Sequence, residues 1–222
     1  MTATLVRRLA ALVPIALVLS CSPPDPLPAA GDRPVKIVVL GDSLSAGFGL
    51  PWGAGFPERL AQTLKLKGIA VTIVNAGVSG DTASDGLNRL DRSVPEDTEA
   101  VIIEVGANDA ERGIDPNVTK AALGSILQRL QERHIQVLLT GFHAPASLGP
   151  AYGRAFAAIY PSLASTYSFV WYPDIVDGVA GNSALIQFDG EHPNAAGVDV
   201  IVARIMPRVE DLIARVRGKR RP

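Results

Sequence analysis

Cysteine is almost absent from the chain: Cys21 is the only one in 222 residues, so no disulfide can form within it. Histidine is nearly as scarce, with three, which leaves few candidates for imidazole chemistry. Aromatic side chains make up 5% of residues and offer few stacking platforms for a sugar ring. Neither sign of charge dominates. The formal net charge is −1, so the electrostatic footprint of a nucleic-acid binder is missing. There is no internal repeat. With 47% apolar and 19% charged residues, the chain can bury one substantial core and form one domain.

The N-terminus, "MTATLVRRLAALVPIALVLSCS", carries Arg7 and Arg8, then an apolar stretch from Leu9 to Leu19, then small residues. This is the layout of a secretory signal over residues 1–21, and the stretch is too short to be a comfortable permanent span. Cys21 stands where it ends. "VLSC" resembles a bacterial lipobox, although Val18 takes the place where leucine is commoner. Cleavage there would leave Cys21 N-terminal and lipidated, giving a membrane-anchored periplasmic or cell-envelope lipoprotein. The alternative is plain cleavage near "LPAA", giving a soluble exported protein. Residues 22–34, "SPPDPLPAAGDRP", are proline-rich and lack apolar periodicity, which reads as a semi-rigid tether. At ~3.1 Å per residue such a tether would hold the body a few tens of Å from a membrane. The basic run "RVRGKRRP" reads as a solvated helix end, with 218–222 as a tail beyond a domain spanning 35–217.

Between these ends, short apolar runs alternate with helical patterns. "VKIVVL" (35–40), "VTIVN" (71–75), "AVIIEV" (100–105) and "QVLLT" (136–140) are strand candidates, and "SFVWY" (168–172) is a weaker fifth. The first four are continuously apolar, as expected of parallel strands covered on both faces. Helical spacing runs over 58–67, over 118–131 and from Ala195 to about Val216. Strand–helix repetition predicts an α/β fold with a doubly wound parallel sheet. Ligands in such folds bind beyond the carboxyl ends of the strands. The polar segments collect there: "GDSLS", "AGVSGDT", "GANDAERG" and "GFHAPAS" follow the four strands, and "DGEHPNAAG" precedes the last helix.

A serine at a strand end becomes a nucleophile only if a base takes its proton. For Ser43 the candidates differ in position. His134 precedes the fourth strand, on the wrong edge of the sheet. His143 follows it on the correct edge and competes. His192 comes three residues after Asp189, so one short turn can aim both side chains at one point, and alongside Ser43 this pair is favoured. Acyl transfer also needs donors for the developing oxyanion; Gly80 can present a backbone N–H and Asn108 a side-chain amide. Asp42 reads as ordering the turn, and Asp81 and Thr82 as helix N-cap residues.

"GDSLS", "SGDT", "GAND" and "DGEHPN", in this order, resemble the four blocks of the SGNH hydrolases, also called GDSL esterases. "SGDTASDGLNRL", "ERGIDP" and "YGRAFAAIYPSLA" extend the likeness to the arylesterase, acyl-CoA thioesterase and lysophospholipase subgroup, over about Val35 to Val209. One departure is Ala107, where that subgroup commonly has a second glycine. The resemblance implies a flavodoxin-like three-layer α/β/α sandwich on a five-stranded parallel sheet. It implies Ser43 as nucleophile, Asp189 and His192 as its partners, and the Ser43 and Gly80 N–H groups with Asn108 as the oxyanion hole. It also implies no metal or organic cofactor, a small-molecule ester or lipid substrate, and no nucleic acid; a monomer is the default. The "G-x-S-x-G" elbow of the α/β-hydrolases is absent, since Ser45 occupies the place of its second glycine. The expected activity is hydrolysis of aryl and short or medium acyl esters, thioesters or lysophospholipids. A carbohydrate O-acetylesterase and a catalytically silent lipid-binding lipoprotein are the alternatives. Phe142 and Leu148 are candidates for a wall around the acyl group.

Overall fold

The computed structural model describes residues 33–220. The signal segment, Cys21 and nearly all of the proline-rich tether lie outside the described residues. In chain order the elements are β1 (Val35–Gly41), α1 (Ser43–Ala46), α2 (Phe56–Leu66), β2 (Val71–Gly77), α3 (Ala83–Asn88), α4 (Leu90–Ser93), β3 (Ala100–Glu104), α5 (Ala107–Glu111), α6 (Pro116–Glu132) and β4 (Gln136–Thr140). A short 3₁₀ turn (Ala146–Leu148), α7 (Gly149–Ala157), α8 (Ile159–Ala164), β5 (Val170–Tyr172) and α9 (Ala195–Arg220) follow. The strands form one five-stranded sheet in the order β2-β1-β3-β4-β5, and every pairing is parallel.

The continuous apolar character of the strands follows from the two-residue repeat of a pleated chain. In β1, Val35, Ile37 and Val39 enter one core while Val38 and Leu40 enter the other. Ala100 and Ile102 in β3 alternate in the same way with Val101 and Ile103. The first core is closed by Phe56, Leu60 and Leu64 of α2 and by the apolar face of α9, from Val198 to Val216. The second is closed by α6, with Leu123, Ile126 and Leu130, and by Phe156, Ile159 and Leu163 of α7 and α8. Both faces of the central strands β1, β3 and β4 are covered, and three layers result.

Local signals set the helix ends. Pro116 occupies the first turn of α6, and Asp115 accepts a bond from the Asn117 N–H. Thr82 and Asp85 form a reciprocal capping box on α3. Thr82 is thus the expected N-cap, but Asp81 is not. Its carboxylate instead pairs with Arg89 Nε at 2.5 Å. Arg89 is 4% exposed and donates to the carbonyls of Gly41 and Ala76, at 2.8 and 2.7 Å. One guanidinium thereby ties together the ends of β1 and β2.

Helix α9 passes through Pro207, which frees the Ala203 carbonyl. Both residues are exposed, so that carbonyl faces water. The helix continues to Arg220, which binds Glu99 through Nη2 at 2.5 Å and through Nε at 2.8 Å. Residues 218–220 are the last turn of α9, with Gly218 and Lys219 exposed and Arg220 tied to Glu99.

Candidate active site

Order 2-1-3-4-5 reverses direction beside β1, and the crevice between β1 and β3 is where such sheets bind ligands. The GDS turn leaves β1 there, and the segment carrying Asn108 leaves β3. Ser43 opens α1, whose N-cap is Asp42; the Asp42 carboxylate accepts from the Leu44 N–H at 3.2 Å. The turn is small because it is crowded. A methyl at Gly41 would strike Ser45 and Glu104, and one at Gly77 would strike the backbone of α1.

The imidazole arrives from the other end of the chain. In the loop before α9, Asp189 accepts from the backbone N–H groups of Glu191 and His192, both at 3.0 Å. Its other oxygen meets His192 Nδ1 at 2.8 Å. These donors hold the Asp189 carboxyl below the usual carboxylate range, the Glu191 N–H foremost. His192 Nε2 then lies 2.9 Å from Ser43 Oγ, across 149 residues of sequence. The Phe48 ring flanks the imidazole, with centroids 4.7 Å apart. Gln187 Nε2 fastens the loop by donating to the Phe48 and Pro193 carbonyls, at 2.8 and 2.9 Å. Asn194 ends it, accepting from the Gly197 N–H at the start of α9 at 3.0 Å.

The remaining histidines stand apart. His143 is 72% exposed and faces Asp174 at 3.8 Å. His134 closes α6 with φ +57°, on the amino edge of the sheet. Of the two acyl-wall candidates, Phe142 packs against both cores, whereas Leu148 is exposed beside Gly113.

The two expected oxyanion donors are also neighbours. Asn108 Nδ2 donates to Asp42 Oδ2 at 3.2 Å, which places its amide against the GDS turn. Arg112 Nη2 donates to Gly80 O at 3.0 Å and to Asn108 Oδ1 at 2.9 Å, joining the second and third segments. Gly80 has φ +86°, a conformation that favours glycine. Ala107 is the first residue of α5, and its φ is not positive, so a second glycine is not required there.

Beneath the turn lies a feature that the sequence reading missed. Glu104, at the end of β3, is 2% exposed and accepts from Ser45 Oγ at 2.6 Å and from the Asp42 N–H at 3.2 Å. Burial pushes its carboxyl well above the ordinary range, and the neighbouring Asp42 charge pushes it further. Burial also raises Asp42, while a bond from Glu104 acts in the opposite direction. Both shifts have the same leading cause, two carboxyl groups taken out of water at one turn. The only sequence signal for it was a glutamate in an otherwise apolar strand.

A parallel three-layer sandwich with serine, imidazole and carboxylate joined by hydrogen bonds at its switch point has the layout of an acyl-transferring hydrolase. The GDSL-like Lipase/Acylhydrolase family model matches residues 39–200, and the chain belongs to that family. Esterase TesA of Pseudomonas aeruginosa is 34% identical over 178 residues, covering 80% of this chain and 89% of that protein. Thioesterase 1/protease 1/lysophospholipase L1 of Escherichia coli is also 34% identical, covering 80% of this chain and 84% of its own length. The crystal structure of AlinE4, an SGNH-hydrolase family esterase, superposes with a TM-score of 0.68 at 41% identity, covering 81% of this chain and 96% of that one. The chain is an ester hydrolase on the expected α/β/α fold.

Proposed function

We propose that the chain hydrolyses carboxylic esters through an acyl-enzyme, with Ser43 as nucleophile, His192 as general base and Asp189 as the group that orients it. The hydrogen-bonded sequence from Asp189 to His192 to Ser43 Oγ carries this reading. His192 Nε2 takes the hydroxyl proton as Oγ attacks the carbonyl carbon, and Asp189 stabilises the imidazolium. The tetrahedral oxyanion accepts from the Ser43 and Gly80 N–H groups and from Asn108 Nδ2. His192 then protonates the leaving alcohol or thiol, and water repeats the sequence on the acyl-enzyme.

Aryl and short or medium acyl esters, thioesters and lysophospholipids are the proposed substrates. The Phe48 ring, 50% exposed and packed against the His192 imidazole, supports an apolar acyl or aryl group beside the reacting hydroxyl. A panel of aryl esters of graded chain length, acyl-CoA, lysophospholipid and acetylated sugar tests this. Turnover confined to acetylated sugar would replace the reading with an O-acetylesterase, and no turnover anywhere would favour a silent lipid-binding protein. Ser43→Ala should lose turnover and fluorophosphonate labelling together, and p-nitrophenyl acetate hydrolysis at the parental rate would remove Ser43 from its role.

We also infer export and lipidation at Cys21, on the sequence pattern alone. Metabolic labelling with a fatty-acid analogue, compared with Cys21→Ala, tests the anchor; equal label in both would dismiss it.

A further inference from the structure

Neither expected oxyanion donor is rigid by its own chemistry. Gly80 has no side chain to hold its peptide, and the Asn108 amide turns about its final torsion. Both are nevertheless gripped by one group. Arg112 Nη2 donates to Gly80 O at 3.0 Å and to Asn108 Oδ1 at 2.9 Å. These are its side-chain hydrogen bonds among the described residues, and both end on oxygens of the donors. At its other end, Asn108 Nδ2 gives one hydrogen to Asp42 Oδ2 at 3.2 Å. An amide nitrogen has two hydrogens, so the second is left for the substrate oxygen.

We propose that Arg112 is a positioning residue for the oxyanion hole, holding Gly80 and Asn108 in one geometry and polarising the Asn108 amide; this rests on the acyl-enzyme reading above. A cation on the amide oxygen draws electron density from the nitrogen and makes the remaining N–H a stronger donor. It also counters Asp42. A carboxylate on the far side of the amide opposes negative charge on the substrate, and the guanidinium supplies the opposite sign across the same group. Nη2 has two hydrogens, one for each oxygen, and the planar guanidinium fixes their directions, whereas the hydrogens of an ammonium rotate on a flexible stem. Arg112 itself is exposed and belongs to the C-terminal turn of α5, outside both cores. Its removal therefore need not disturb folding.

The test is steady-state kinetics on p-nitrophenyl esters with the full chain, Arg112→Met, Arg112→Lys, Asn108→Ala and the Arg112→Met/Asn108→Ala pair. Arg112→Met should lower kcat about 10–100-fold, with KM within about twofold and an unchanged Tm. Arg112→Lys should recover part of the loss. In the Asn108→Ala background the same change should cost at least about fivefold less than in the parent, because its main target is gone. Parental kcat in Arg112→Met, a loss in KM alone, or equal losses in both backgrounds would overturn the clamp. A parent with no esterase activity would instead remove the reading on which it stands. NMR gives a readout independent of turnover: the Asn108 side-chain amide resonances should shift in Arg112→Met, and unmoved resonances would also overturn the proposal.

Discussion

The two halves of the site are held by different means. The serine side is buried: Asp42 and Glu104 are each 2% exposed, Ser45 is fully buried, and Arg89 beneath them is 4% exposed. The histidine side is a surface loop in which Asp189 keeps 35% and His192 18% of the side chain exposed. The first is fixed by desolvated polar groups that have no alternative partners, the second by turn hydrogen bonds that water can replace. Damage on the first side should register in folding, and damage on the second in turnover.

The largest effect expected belongs to the base. Asp189→Asn should lower kcat by about 10⁴-fold, because the wrong imidazole tautomer is held, while Tm stays close to the parent. A large fall in Tm would break the comparison. Arg89→Met should do the reverse. It strands Asp81 in a site 13% exposed and frees two strand-end carbonyls, so it should cost about 3 kcal/mol in denaturant unfolding. Gln187→Ala removes two bonds from the strut under the base loop, at a cost of about 1 kcal/mol in stability. Its kcat should fall by roughly tenfold, as expected when a base loses its alignment.

The smallest effect is a pH dependence at the border of the two halves. Partial desolvation, and next the charge of Glu191, push Glu111 up to about 7 although its surface is largely open to water. Between the ordinary glutamate range and that value, the unfolded chain releases a proton that the folded chain retains. Stability should therefore decline as pH rises through this window. Glu111→Gln should melt with the parent near pH 4 and above it at pH 8. Coincident melting curves at pH 8 would mean that Glu111 titrates as it does in the unfolded chain.

What was legible in the sequence followed the same division. Continuous apolar runs revealed the strands, because alternate residues feed two cores. Ser43, Asp189 and His192 could be paired because few histidines compete. Glu104, Arg89 and Arg112 were not legible. Their roles depend on carbonyls and carboxylates brought together from remote segments, and no local period marks them. Asp81 looked like a cap because it precedes a helix, and only the buried guanidinium shows why it is not one. In the segment after β4, Gly149 and Pro150 form the first turn of α7, a helix start with no side-chain cap to mark it.

Ser43 and His192 meet across 149 residues, and the loop that brings the imidazole is held by the start of α9. A chain still emerging from the ribosome thus has its hydroxyl long before its base. On the proposed mechanism, the newborn protein has no imidazole to activate its hydroxyl until the final helix docks on the sheet.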